Sequence, residues 1–213
     1  MMRWDAAIFD LDGTLCDSRL DLTNAVNHAR RQLGFGPLSA EEVSRYVGDG
    51  MTKLLERAFH GQRECVEPAR PHFRQHYEAH LVDHTTLYEG VRDGFERLAE
   101  TSLKMAVLTN KPEHFARLML EHYGLADHFE LVAGPDTFNT RKPDPRGALA
   151  IARTLESSAE RTVIVGDNHT DLSTAGAAGM QVIFCTYGFG RQDGRPCDFT
   201  ADSFGEVVRL LLE

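Results

Sequence analysis

Long apolar runs are missing from this 213-residue chain. None approaches the roughly 18 residues that cross a bilayer. The opening Met1-Met2-Arg3-Trp4-Asp5 also lacks the apolar stretch of a signal peptide, so no membrane partner is expected and the chain is expected to act in the cytoplasm. Positive charge is short as well. With 23 Lys and Arg against 32 Asp and Glu the formal net charge is −9, and no basic cluster occurs, which argues against a nucleic-acid partner. Cysteine is sparse: Cys16, Cys65, Cys185 and Cys197 form neither a CxxC pair nor a dense framework, so they read as reduced thiols without a zinc site. Internal repeats and low-complexity tracts are absent too. None of these deficits excludes a small phosphorylated substrate, whose charge one or two cations and a metal can meet locally.

What is present fits a folded protein of one large domain, or a core with an appendage: 42% of residues are apolar and 26% charged. The organising stretch is Ile8-Phe9-Asp10-Leu11-Asp12-Gly13-Thr14-Leu15-Cys16-Asp17. Two carboxylates follow the apolar run Ala6-Ala7-Ile8-Phe9 and precede a glycine, the pattern of the exposed tip of a buried strand. Residues at i and i+2 of an extended chain share a side, so Asp10 and Asp12 are expected to face one space. Their repulsion calls for compensation, and a hard divalent cation is the ordinary means. A polar turn closing a strand is the plainer alternative.

From Ser18 to His84 the periodicity is helical. Leu22, Val26, Ala29 and Leu33 form one stripe ending at Gly34 and Gly36; Ser39-Ala40-Glu41-Glu42 reads as a capping box opening a helix through Tyr46 and Val47. After Gly48-Asp49-Gly50 the pattern resumes in Met51, Leu54, Leu55 and Phe59, then in Phe73, Tyr77 and Leu81. No strand signal lies between Leu15 and Leu87, so the region reads as a helical subdomain inserted after the first strand. His72, His76, His80 and His84 recur at four-residue spacing beside that last stripe and read as a solvated face. From Leu87 onward strands alternate with helices: strands at Leu103–Leu108, Glu130–Ala133, Thr162–Val165 and Gln181–Cys185, helices around 91–100, 112–122, 145–155 and 171–178, and a last helix after Asp202-Ser203. That alternation predicts an α/β fold, a parallel sheet covered on both faces, with ligands beyond the carboxyl ends of its strands. The polar residues cluster at those ends: Asp10 and Asp12, Thr109-Asn110, Arg141-Lys142-Pro143, and Gly166-Asp167.

In their order along the chain, Asp10-Leu11-Asp12-Gly13-Thr14-Leu15, Thr109-Asn110, Lys142-Pro143 and Gly166-Asp167-Asn168-His169-Thr170-Asp171 resemble the four motifs of the haloacid dehalogenase superfamily phosphatases. The resemblance covers essentially the whole chain. It implies a Rossmann-like core of residues 1–15 and 86–213 with a helical cap at 16–85. It further implies a magnesium-dependent (Mg2+) phosphomonoester hydrolase of a small phosphorylated metabolite, in which Asp10 is the nucleophile that becomes an aspartyl phosphate and Asp12 the general acid and base. The ion would be held by the Asp10 carboxylate, the Asp12 backbone carbonyl and Asp167, with Asp171 orienting a metal-bound water. Lys142 would supply a cation and Thr109 a hydroxyl to the phosphoryl group, with Asn110 a further donor. Taken singly, Thr109 is also an ordinary strand end, Lys142 a loop charge, and Asp167 and Asp171 acids drawn to a helix N-terminus.

Within the superfamily, Val47-Gly48-Asp49-Gly50-Met51, Leu54-Leu55-Glu56-Arg57-Ala58 and Tyr88-Glu89-Gly90-Val91 are most similar to the phosphoglycolate phosphatase group, which implies 2-phosphoglycolate as substrate and Gly48 and Gly50 in a cap loop that closes on it. The group more often has Asn where this chain has Asp49. The same two glycines also suit an interhelical turn. Arg19, Arg45 and Lys53 are candidate counter-charges in the cap. A phosphomutase, a pyrophosphatase or another small-substrate phosphatase shares these motifs, and a non-catalytic binding module is the alternative of a different class. Whether the chain is a monomer or a homodimer stays open.

Overall fold

The fold of residues 2–213 is described by a computed structural model. Strand β1 (Ala6–Phe9) is buried throughout. Alternate residues of a strand face opposite ways, and both faces are covered: Ala6 and Ile8 pack into one apolar cluster, Ala7 and Phe9 into another. A tight turn follows, in which the Leu11 carbonyl accepts from the amides of Thr14, Leu15 and Cys16. The chain then passes through the two-residue strand β2 (Cys16–Asp17) into helices α1 (Arg19–Gln32), α2 (Ala40–Ser44), α3 (Met51–Ala58) and α4 (Val66–Ala79). The predicted stripes face inward: Leu22, Val26, Ala29, Leu54, Leu55, Phe73 and Tyr77 are all buried. The return is strand β3 (Thr86–Leu87), which pairs antiparallel with β2 and closes a small ribbon. Asp21 of α1 ties that return down, accepting from the amides of His84 and Thr85 and from the Thr85 hydroxyl.

Beyond the ribbon come α5 (Val91–Ala99), β4 (Lys104–Leu108), α6 (Glu113–His122), β5 (Leu131–Ala133), α7 (Arg146–Thr154), β6 (Thr162–Gly166), α8 (His169–Ala178), β7 (Gln181–Cys185), β8 (Phe199–Ala201) and α9 (Phe204–Leu212). The main sheet is parallel in the order β5-β4-β1-β6-β7-β8. Phe95 of α5, Phe115 of α6 and Phe204 of α9 cover the face of Phe9; Ile151 of α7 and Leu172 of α8 cover the face of Ile8. Strand order reverses at β1, with β4 on one side and β6 on the other. A crevice therefore opens where the ends of these three strands diverge.

Several boundaries differ from expectation. The ribbon of β2 and β3 falls where no strand was anticipated, and β8 was not anticipated either. Elements this short show no periodicity and are held by pairing to distant partners. Helix α2 stops at Ser44 rather than Val47, and its capping box is half formed: Ser39 accepts from the Glu42 amide, but the Glu42 carboxylate accepts from the Tyr46 hydroxyl. No helix among the described residues is long and apolar enough to cross a membrane.

Candidate active site

Asp10 follows β1 and keeps its backbone in the sheet, its amide donating to the Val165 carbonyl at 2.9 Å. Asp167 follows β6, and Asp171 lies one turn into α8. Carboxylate oxygens of these three buried residues lie within 4.8 Å of one another. Lys142 enters from the loop before α7, with Nζ 2.8 Å from Asp10 Oδ1 and 2.6 Å from Asp171 Oδ1. One ammonium against three carboxylates leaves two negative charges uncompensated in a place shielded from water. The consequence is visible in the acidities: burial pushes Asp10 up to about 6 against the opposing pull of Lys142. Burial, with the charges of Asp10 and Asp171 added, holds Asp167 well above the usual carboxylate range. Lys142 is raised, its anionic neighbours outweighing the cost of burial.

Such a set of oxygens fits a divalent cation. Asp10 Oδ1 lies near Lys142 but outside hydrogen-bond geometry and has no other partner. Asp167 takes a single amide hydrogen bond, from Gly190 at 2.7 Å. Asp171 differs, since both its oxygens are engaged, one by Lys142 and one by the Asn168 amide in the capping box of α8. Gly13 explains the close approach of the first loop: its φ is +85°, and a Cβ there would sit 1.9 Å from Asp167 Oδ2.

Asp12 stands apart from the cluster. Its carboxylate accepts from Ser18 Oγ at 2.5 Å and from Lys111 Nζ at 2.7 Å. Asp10 and Asp12 border one cavity, as their spacing predicts, while each carboxylate lies beside a different ammonium, Lys142 for Asp10 and Lys111 for Asp12. Lys111 is buried and also donates to the Tyr77 hydroxyl at 2.6 Å. Ser18 begins α1, yet its side chain makes no capping bond because the hydroxyl is turned to Asp12.

Thr109 is buried at the end of β4, its hydroxyl oxygen accepting from the Lys111 amide. Asn110 is fully occupied by backbone: its amide donates to the carbonyls of Gly48 and Lys142, at 2.8 and 3.0 Å, and its oxygen accepts from the Lys142 amide at 2.8 Å. Donation to a ligand would require one of those bonds to open. Gly48 thus meets the core through its carbonyl, and a Cβ on it would lie 2.5 Å from Asn168 Nδ2. Gly50 is near by, with the Asn110 carbonyl 3.3 Å from where its Cβ would be.

Asp10, Asp12, Thr109, Asn110, Gly48 and Gly50 border one cavity of about 60 Å³ between the helical segment and the sheet. The proposed cap counter-charges do not: Arg19 pairs with Asp17, Arg45 with Glu41 and Lys53 with Glu56, all at the surface. Asp49 is absent from the wall as well, held by Arg57 at 2.6 Å. Lys111 and the Gly188-Phe189-Gly190 loop went unremarked in the sequence. Lys111 directly follows Thr109-Asn110, and the paired glycines after β7 were the available signal for the loop.

A family model described as haloacid dehalogenase-like hydrolase matches residues 7–185. A phosphoglycolate phosphatase of Chromobacterium violaceum is 39% identical, over 97% of this chain and 96% of its own length. One from Neisseria meningitidis is 38% identical, over 97% and 93%. Among solved structures, a "predicted phosphoglycolate phosphatase" of Haemophilus somnus superposes with a TM-score of 0.93 at 25% identity, covering 99% of both chains. Because the match runs from β1 through β7, and so takes in every strand and loop that carries the acidic cluster, this chain belongs to the haloacid dehalogenase-like hydrolases and is a phosphatase of that family.

Proposed function

We propose that the chain is a Mg2+-dependent phosphomonoesterase that works through an aspartyl phosphate, with 2-phosphoglycolate its leading substrate. The observation that carries the chemistry is the buried trio Asp10, Asp167 and Asp171 around Lys142, two charges short of neutrality, whose member Asp10 borders the same cavity as Asp12. The names of the two relatives above supply the substrate.

In this reading Asp10, Asp167 and the Asp12 backbone hold Mg2+, which supplies charge neutralisation between the anionic nucleophile and the anionic ester. An Asp10 oxygen attacks phosphorus as the bond from phosphorus to the leaving-group oxygen breaks, and the leaving-group oxygen takes a proton from Asp12 to depart as the alcohol. A water then gives its proton back to Asp12 as it attacks the aspartyl phosphate, releasing inorganic phosphate and restoring Asp10. Lys142 and the Thr109 hydroxyl stabilise charge on the transferring group. Asp171 fixes Lys142 and the start of α8. Residues 16–85 act as a cap that flexes at the β2–β3 ribbon, with Gly48 resting on Asn110 and Asn168 when shut.

Phosphate release from a panel of small phosphomonoesters, pyrophosphate and a sugar bisphosphate, with Mg2+ and with excess EDTA, tests this. Hydrolysis of 2-phosphoglycolate that stops on chelation supports it. Turnover that persists in EDTA, or label passed to a second hydroxyl rather than to water, overturns it.

A further inference from the structure

The cavity sets a difficulty for any substrate with a second negative charge. Leu22, Val47, Met51, Leu54, Phe73 and Phe115 make up much of its wall, and an anion buried against such side chains is unfavourable unless a cation meets it. Lys111 is the one Lys or Arg side chain on that wall among the described residues. Its three N–H bonds are unequally used. Asp12 and Tyr77 are strong acceptors at 2.7 and 2.6 Å, whereas the third contact is the thioether sulfur of Met119 at 3.1 Å, a weak acceptor. An oxyanion entering the cavity would draw that third proton away from the sulfur.

We infer that Lys111 is the specificity-determining residue, pairing with a second anionic group on the leaving-group side of the substrate and selecting phosphate esters of short hydroxy acids. The inference rests on the phosphomonoesterase reading above and deepens it. Lys111 is bonded to the proposed general acid, which must meet the ester oxygen. Its ammonium therefore lies one hydrogen bond beyond that oxygen, within reach of a carboxylate one carbon away. The cap contributes apolar enclosure and no charge.

The test compares kcat/KM for 2-phosphoglycolate and for 2-hydroxyethyl phosphate, which carries CH2OH in place of the carboxylate, in the wild type and in Lys111→Met and Lys111→Gln. The wild type should prefer the charged ester, and both variants should lose that preference by about 10²-fold, chiefly through KM for the charged ester. A residue that only positions Asp12 would lower kcat for both esters alike. Preference in the wild type with an unchanged ratio in the variants therefore overturns the role of Lys111 and leaves the substrate reading standing. A wild type without the preference overturns both. Should neither variant fold, the Lys111 Nζ resonance in the Asp10→Asn protein carries the test. A shift with 2-phosphoglycolate but not with 2-hydroxyethyl phosphate supports the inference, and equal shifts overturn it.

Discussion

At the scale of single residues the informative quantity is the acidity of Asp10. Its pKa is raised from 3.8 to about 6 in the folded, metal-free protein, so the unfolded chain ionises first as pH rises. Folding stability should fall across that window and level off above it, and the elevation of Asp167 carries the same trend upward. Because a cation needs both carboxylates ionised, Mg2+ affinity should weaken as pH drops through about 6, with protons released on binding. Calorimetric titration at several pH values in buffers of different ionisation enthalpy measures both; affinity independent of pH from 5 to 7 would count against the cluster as the cation site. Gly13→Ala should cost about 1–3 kcal/mol in denaturant unfolding, from the positive φ and the collision with Asp167, and should weaken Mg2+ binding as well. Lys111 shows why residue roles are only partly legible. It reads as an ordinary basic residue before a helix, and its partner Asp12 lies 99 positions away.

Between elements, Asn110 is the joint. One side chain bonds the Gly48 loop and both backbone groups of Lys142, so Asn110→Ala leaves buried polar groups unpaired and should cost about 1–3 kcal/mol. Amide exchange should quicken in residues 47–50 and 140–143 together; exchange confined to one loop would show that the two are not coupled through it. A second joint is the contact of α1 with α4. His28 from α1 joins the row, its ring centroid 4.5 Å from that of His76, which is in turn 4.5 Å from His80, and His76 Nδ1 is buried without a partner. The face expected to be solvated from spacing is so at His80 and His84, which are exposed, whereas His72 and His76 are half-buried with their rings tilted against that of His28 across the two helices. Burial, Arg31 and neighbouring imidazoles lower His28 and His76 below 6.5, with only Asp83 opposing at His76. With folded-state pKa values depressed, stability is complete above pH 6.5 and declines as the unfolded chain takes up protons below it. In thermal melts His28→Gln with His76→Gln should therefore gain stability relative to wild type as pH falls from 7.5 to 5.5, a difference in which the opposite contribution of Asp10 and Asp167 cancels.

Across the whole molecule, the strand order gathers acids separated by up to 161 positions, from Asp10 to Asp171, at one end of the sheet. Repulsion stored there makes the metal-free state the weaker one. Mg2+ at about a hundred times its dissociation constant should raise the melting temperature by roughly 5–10 °C, and EDTA should reverse it. A melt indifferent to both would mean that the trio does not take the cation.

What the sequence determined by itself was local and periodic. Apolar runs flanked by turn residues placed β1, β4, β6 and β7; stripes at helical spacing placed α1, α3, α4 and α9; and the polar residues at strand ends named Asp10 and Asp167, Asp171 being added by the family resemblance. These follow from interactions within a few residues, which composition and spacing encode directly. Tertiary structure alone decided which partner each charge took: Lys142 for Asp10, Lys111 for Asp12, Asn110 for Gly48, His28 for His76. It also decided that Arg19, Arg45 and Lys53 stay at the surface while the helical segment brings no charged side chain to the cavity wall. Such pairings depend on which strand lies beside which and on how the helical segment sits over the sheet, and no window of the chain contains both members.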